Sequence, residues 1–165
     1  MARRSPAGDA LTELVLLVFR LNGNFLDVAE QITADSGLTA ARWQVLGGVL
    51  RAPLPVASVA RNMGLTRQSV QRLADVLVEE GLCQYLDNPA HLRAKLLAPT
   101  ERGSAAIARI HPRQVAWANR VSAIVGHEAL AAATATLNTV LAALQPPAAR
   151  AAARPGQAKA KRSRP

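Results

Sequence analysis

The chain has 165 residues, half of them hydrophobic but only 3% aromatic. That length suits one domain with extensions, and a core of Leu, Val, Ile and Ala favours a mostly helical protein. A single cysteine, Cys83, excludes an intrachain disulfide and a thiolate metal cluster. The net charge is +9, from 20 basic and 11 acidic residues. Six of the basic residues and no acid fall between Pro146 and Pro165, which leaves 14 against 11, or +3, for residues 1–145. The longest apolar run, Leu14 to Phe19, is far short of the ~18 residues that cross a bilayer. Nor does the N-terminus lead into a signal-type apolar region, so the expectation is a cytoplasmic protein without membrane association.

The expected organisation is a flexible N-terminus at 1–8, one domain at 9–145 and a disordered basic tail at 146–165. The tail contains no aliphatic residue larger than Ala and cannot bury enough surface to offset its ordering entropy. Within the domain, Leu11, Leu14, Val18, Leu21, Phe25, Val28 and Ile32 recur at steps of three and four, the stripe of a helix. Val15, Leu16, Leu17 and Phe19 widen that stripe, so the helix is expected to be buried on more than one side, as a core element or a subunit interface. Asn22-Gly-Asn24 weakens the pattern midway. A second helix is predicted from Thr39 as N-cap to Arg51, ended by Pro53 and Pro55.

A short helix from Val56 to Met63 is closed by Gly64, and Thr66 then caps a helix of about Thr66 to Glu80. Two helices joined by a short glycine-containing turn make a helix-turn-helix. The first turns of the second helix carry Arg67, Gln68, Ser69, Gln71 and Arg72, and no acid lies between residues 66 and 74. A helix that reads DNA does so with its N-terminal residues: Arg suits guanine, Gln suits adenine, and hydroxyls and free N–H groups hold phosphate.

Leu82 to Leu86 reads as a strand, and a bend at Asn88-Pro89 leads to a second strand at Arg93 to Leu97. The resulting hairpin places His91, Arg93 and Lys95 at or beyond its tip, a basic wing able to reach phosphate or a minor groove. From Thr100, a predicted N-cap, Ile107, Ile110, Gln114, Trp117, Val121 and Ile124 keep helical spacing, with Pro112 expected to kink or interrupt the helix. After Gly126 a last helix presents Leu130, Leu137, Val140, Leu141 and Leu144. These terminal helices carry more apolar surface than one small reading head can cover, which favours a dimer.

The ordered combination of residues 56–82 with Asn88-Pro89, Arg93-Ala-Lys-Leu-Leu97 and Thr100-Glu-Arg-Gly103 resembles the MarR family of bacterial winged helix-turn-helix regulators. The resemblance follows residues 10–145 in element order and is specific over 56–103. It implies a mainly α fold with a small β-hairpin wing. The DNA-binding head would lie at about 39–98 and the dimerisation helices at about 9–35 and 100–145. It also implies a homodimer on a pseudo-palindromic operator, released by a small phenolic or anionic effector or by thiol oxidation. By position, Thr66, Arg67, Gln68, Ser69, Gln71 and Arg72 match the family's recognition helix, and Arg93 matches its wing arginine. His91 stands where such wings commonly carry Asp, and Leu92 and Ala94 replace the usual flanking arginines. Those departures imply a weaker or differently organised wing contact.

The function expected from these features is sequence-specific binding of double-stranded DNA by a transcription regulator, with repression as the expected sign. The alternative is an architectural, largely non-specific DNA binder driven by the tail. An enzyme is not expected: His91, His111 and His127 form no ligand pattern, and HExxH, GxSxG and phosphate-loop motifs are absent. No cofactor or metal is called for. Asp75, Glu79 and Glu80 read as surface salt-bridge partners, and Cys83, beside Leu82 and without a second cysteine, as a buried inert thiol. Trp43, Leu46 and Trp117 could line an effector cavity or simply pack the core, and no charged residue identifies a ligand.

Overall fold

The computed structural model describes residues 3–144, so the basic stretch 146–165 lies outside the described residues. In chain order the elements are α1 (Pro6–Thr33), α2 (Ala40–Gly48), β1 (Leu54–Pro55), α3 (Val56–Met63), α4 (Arg67–Glu79), β2 (Cys83–Leu86), β3 (Leu96–Pro99), α5 (Glu101–Val125) and α6 (His127–Leu144). The strands form one antiparallel sheet in the order β1-β3-β2, so helices with a small sheet give a winged-helix architecture. Two compact units meet in sequence at Ala116 and Trp117.

The core of the first unit is aliphatic, as the composition requires. Val45, Leu46 and Val49 from α2 and its C-cap, Val59 from α3, Val70 and Leu77 from α4, Leu97 from β3 and Ile110 from α5 are all but inaccessible to solvent. Each such side chain contributes roughly 1.5–3 kcal/mol relative to an exposed one. Buried Thr33 turns its hydroxyl back on its own helix, donating to the carbonyls of Ala29 and Glu30. Exposed Arg113 on α5 pairs with Asp35 at 2.8 Å, across the loop that follows α1.

Several sequence expectations need correction. α1 starts at Pro6, with the Ser5 hydroxyl accepting from the Gly8 N–H, and runs unbroken through Asn22-Gly-Asn24. It is not a core element of one chain: only Ala29, Ile32 and Thr33 are buried, while Leu11, Leu16, Leu17, Phe19 and Phe25 are exposed. α2 ends at Gly48 rather than Arg51, because Gly47-Gly48 costs about 1 kcal/mol per glycine in a helix and Val49 N–H turns back to Leu46. Leu54–Pro55, read from sequence only as a helix stop, is the outer strand beside β3, a place where proline is tolerated.

Pro112 does not interrupt α5. The carbonyl it leaves without a helical donor belongs to Ala108, and both residues are exposed, so water can satisfy that group. In the second unit α6 has no buried residue, and Ile124, Leu141 and Leu144 are largely exposed. No helix among the described residues is long and apolar enough to cross a membrane.

Candidate nucleic-acid interface

The candidate interface is built on α3 and α4. Val56, Val59 and Ala60 bury one side of α3, and Gly64, at φ 65°, takes the left-handed conformation that ends it. Leu65 N–H donates to Ala60 and Gly64 N–H to Arg61, so the last carbonyls of α3 are satisfied as the chain turns. Thr66 then caps α4, its hydroxyl accepting from Ser69 N–H at 3.1 Å and donating to Ser69 Oγ at 2.8 Å. Among the described residues no protein group accepts from the N–H groups of Arg67 and Gln68. The start of α4 thus presents free donors at the positive end of its dipole.

Val70, Ala74 and Leu77 bury the inner side of α4 and leave Arg67, Gln68, Ser69 and Arg72 exposed. These four sequence-predicted residues therefore lie exposed within the first two turns of one helix. Thr66 differs in role, since its hydroxyl is occupied by capping. Gln71 differs too. Half-buried, its Nε2 donates to Asp75 Oδ1 at 2.8 Å and to the Tyr85 hydroxyl at 2.7 Å, and that hydroxyl donates to the same Asp75 oxygen at 2.7 Å. Burial, and then the Asp75 carboxylate beside it, push the Tyr85 hydroxyl up to about 12. Sequence reasoning missed Tyr85 and gave Asp75 to a salt bridge. The four-residue spacing of Gln71 and Asp75 on one helix was the signal available for their pairing. Glu80 is the acid of this helix that does form an ion pair, with Arg42, whose other nitrogen donates to the Gly37 carbonyl at 3.1 Å.

The wing differs from the expected hairpin. Its second strand is Leu96–Pro99 rather than Arg93 to Leu97, and pairing begins at Leu86 opposite Leu96. The cause is Asn88, buried at the wing's base. Its Nδ2 donates to the Ala94 carbonyl at 2.8 Å, and its Oδ1 accepts from Ala90 N–H at 3.1 Å. With His91 N–H on the Asn88 carbonyl and Ala94 N–H on the His91 carbonyl, residues 88–94 fold into a compact loop instead of extending the ladder. His91, Arg93 and Lys95 are exposed on or next to this loop, and Leu92 is 95% exposed at its tip.

Between α4 and the wing lies a cleft of about 330 Å³, lined by Arg67, Gln71, Tyr85, Arg93 and Lys95 together with Pro55–Ala57 and Ala94. Three cations from two elements converge on it, and neither element supplies an acid to its lining. His91 is not part of that lining. A second cavity of about 200 Å³ is lined by Trp43, Leu50, Ile107, Ile110, His111 and Gln114. Trp43 lines this cavity, whereas Leu46 is wholly buried in the core and Trp117 belongs to the second unit.

Cys83 is 2% exposed at the start of β2, and burial pushes its thiol up from 9.0 to about 11. Among the described residues no group of three His, Cys, Asp or Glu side chains could hold a metal ion.

Comparisons with known proteins agree with this architecture. Residues 36–94, from the loop before α2 into the wing, match the model of the MarR family. The uncharacterized protein Rv2011c of Mycobacterium tuberculosis is 38% identical over 137 residues, which cover 83% of this chain and 96% of that protein. CouR from Rhodococcus jostii RHA1, solved bound to p-coumaroyl-CoA, is 25% identical, with a TM-score of 0.69 over 77% of this chain and 90% of that one. A MarR-family transcriptional regulator from Rhodococcus sp. RHA1 shares the fold at 23% identity, with a TM-score of 0.68 over 84% and 96% of the two chains. With its helix-turn-helix, three-stranded sheet and the match across both, the chain belongs to the MarR family of winged-helix transcription regulators.

Proposed function

We propose that the protein is a sequence-specific DNA-binding regulator that acts as a homodimer on a pseudo-palindromic operator and represses the genes beside it. The observation that carries this reading is the convergence of Arg67 on α4 with Arg93 and Lys95 of the wing on one cleft, beside the exposed side chains of Gln68, Ser69 and Arg72. A duplex laid on this surface meets base-reading side chains from the helix and phosphate-seeking cations on its flank. The free N–H groups of Arg67 and Gln68 add a phosphate seat at the helix start.

The homodimer is supported by α1, whose exposed Phe19, Leu16 and Phe25 would be costly to leave in water. In such a dimer the two reading helices enter successive major grooves ~34–36 Å apart. Occupation of both grooves obstructs a promoter, which is why repression is the proposed sign. Release by a small effector is supported by the cavity beside Trp43 and by the ligand in the solved CouR complex. At about 200 Å³ the cavity is smaller than the ~300–1,000 Å³ of ordinary ligand pockets, so a compact effector is proposed.

Footprinting on the DNA upstream of the protein's own gene tests this reading. Two protected half-sites ~10 base pairs apart, centre to centre, are expected. A single protected half-site would contradict the dimer, and uniform protection would contradict the operator.

A further inference from the structure

The wing ends in a preformed tip that is apolar at its corner and cationic beside it. Two successive turns build it: His91 N–H donates to the Asn88 carbonyl at 3.1 Å, and Ala94 N–H donates to the His91 carbonyl at 2.9 Å. Leu92 and Arg93 are the two corner residues of the second turn. The buried Asn88 amide, donating to the Ala94 carbonyl at 2.8 Å, ties the far end of that turn to the wing's base. The loop is thus ordered before anything binds, and binding need not order it. No acid lies between Asn88 and Lys95. Arg93 and Lys95 line the cleft with Arg67, while Leu92 stands 95% exposed. Single exposed leucines are ordinary on protein surfaces. One held at the corner of a preformed projection, next to cations that face the proposed DNA seat, is placed to enter the duplex.

With α4 in the major groove, the groove left for this tip is the minor groove, about 6 Å wide. Every base pair shows acceptors on that floor, and only G·C adds a donor, the guanine N2 amino group. Leucine offers no acceptor. Laid on the floor, it covers that amino group and leaves its N–H without a partner, a cost that A·T and T·A do not incur. We propose that Leu92 is a specificity-determining residue, seated in the minor groove that flanks each half-site and selecting A·T or T·A there by excluding the guanine amino group. Arg93 and Lys95 hold phosphate beside it. The inference rests on the DNA-binding reading proposed above and adds a base contact from a side chain with neither charge nor hydrogen-bonding groups. Its contribution is therefore insensitive to salt, unlike the pull of an arginine towards a narrow groove.

Selection of bound duplexes from a randomised library by the full-length protein, followed by sequencing, tests the proposal. Positions flanking the half-sites are expected to favour A·T or T·A over G·C by about fivefold or more. In a selected duplex, G·C at such a position weakens binding by that factor. Inosine·cytosine, which keeps guanine's major-groove edge but lacks the N2 amino group, binds as A·T does. Leu92→Ala changes an almost fully exposed side chain, leaves the fold intact and makes the three duplexes equal. Inosine·cytosine as weak as G·C, a preference kept by Leu92→Ala, or one that fades between low and physiological salt would overturn the proposal. Flat flanks beside enriched half-sites would overturn it too and leave the DNA reading of α4 standing. A wild type that enriches no sequence would instead sink that reading, and this inference with it.

Discussion

The carbonyl oxygen of Leu82 lies only 2.0 Å from where a β-carbon on Gly103 would stand. The first turn of α5 is thereby pressed against the turn that follows α4, and other bonds hold it there. Thr100 N–H donates to that same Leu82 carbonyl at 3.0 Å, its hydroxyl donates to the Gly81 carbonyl at 2.7 Å, and Gly103 N–H donates back to the hydroxyl at 3.1 Å. The neighbour is backbone and cannot swing aside. Gly103→Ala is expected to destabilise the protein by about 3 kcal/mol, at the upper end of overpacking costs, seen as a lower urea midpoint. An unchanged midpoint would show that α5 can lift without penalty. Thr100→Val should cost about 1–2 kcal/mol by removing the cap, and Thr100→Ser should restore most of it.

The wing cations and the reading helix should separate in binding measurements. Arg93→Ala and Lys95→Ala are expected to weaken operator and random DNA alike, each lowering the slope of log affinity against log salt by ~0.9. Removal of residues 146–165 should act in the same direction on both DNAs. A selective loss on the operator would instead assign Arg93 or Lys95 a base contact.

Gln68→Ala and Arg72→Ala should behave oppositely, costing ~1–3 kcal/mol on the operator and little on random sequence. Competition binding with both DNAs measures the difference. Equal losses on the two would remove these residues from sequence reading.

Cys83 makes stability fall at alkaline pH. Its thiol ionises near 9.0 when exposed and near 11 when folded, so the folded state holds its proton more tightly. That contribution is complete well below pH 9 and is lost as pH rises through 11, at most about 3 kcal/mol in all. Tyr85 adds a loss of the same sign at higher pH. Unfolding curves between pH 8 and 11 should slope downward for the wild type and flatten in part for Cys83→Ala. The same burial predicts slow reaction with peroxide or maleimide until the chain unfolds. Rapid labelling of native protein would contradict it.

Helix existence was legible wherever a side-chain pattern and a cap coincided. Thr39, Thr66 and Thr100 each accept the N–H of the residue three positions on, as their sequence context indicates. Gly64 ends α3 for a reason visible in one residue type. Strand limits were less legible because a long-range bond sets them. Nothing local to Asn88 announces that its amide will hold the Ala94 carbonyl and shorten the hairpin. Arg67, Gln68, Ser69 and Arg72 are exposed near the start of α4 because helix periodicity turns Val70 and Ala74 inward instead. The occupancy of Gln71 could not be read that way, since Tyr85 arrives from another element. α1 showed its apolar breadth in sequence, but whether that breadth is core or interface depends on what packs against it.

Binding of the full-length protein to genomic fragments, at low and physiological salt with competitor DNA, tests the central claim most directly. Fragments carrying a palindromic site are expected to stay bound at physiological salt, with discrimination over random DNA of ~4–10 kcal/mol. Binding that fades equally on every fragment as salt rises would contradict it and leave a non-specific DNA binder driven by charge alone.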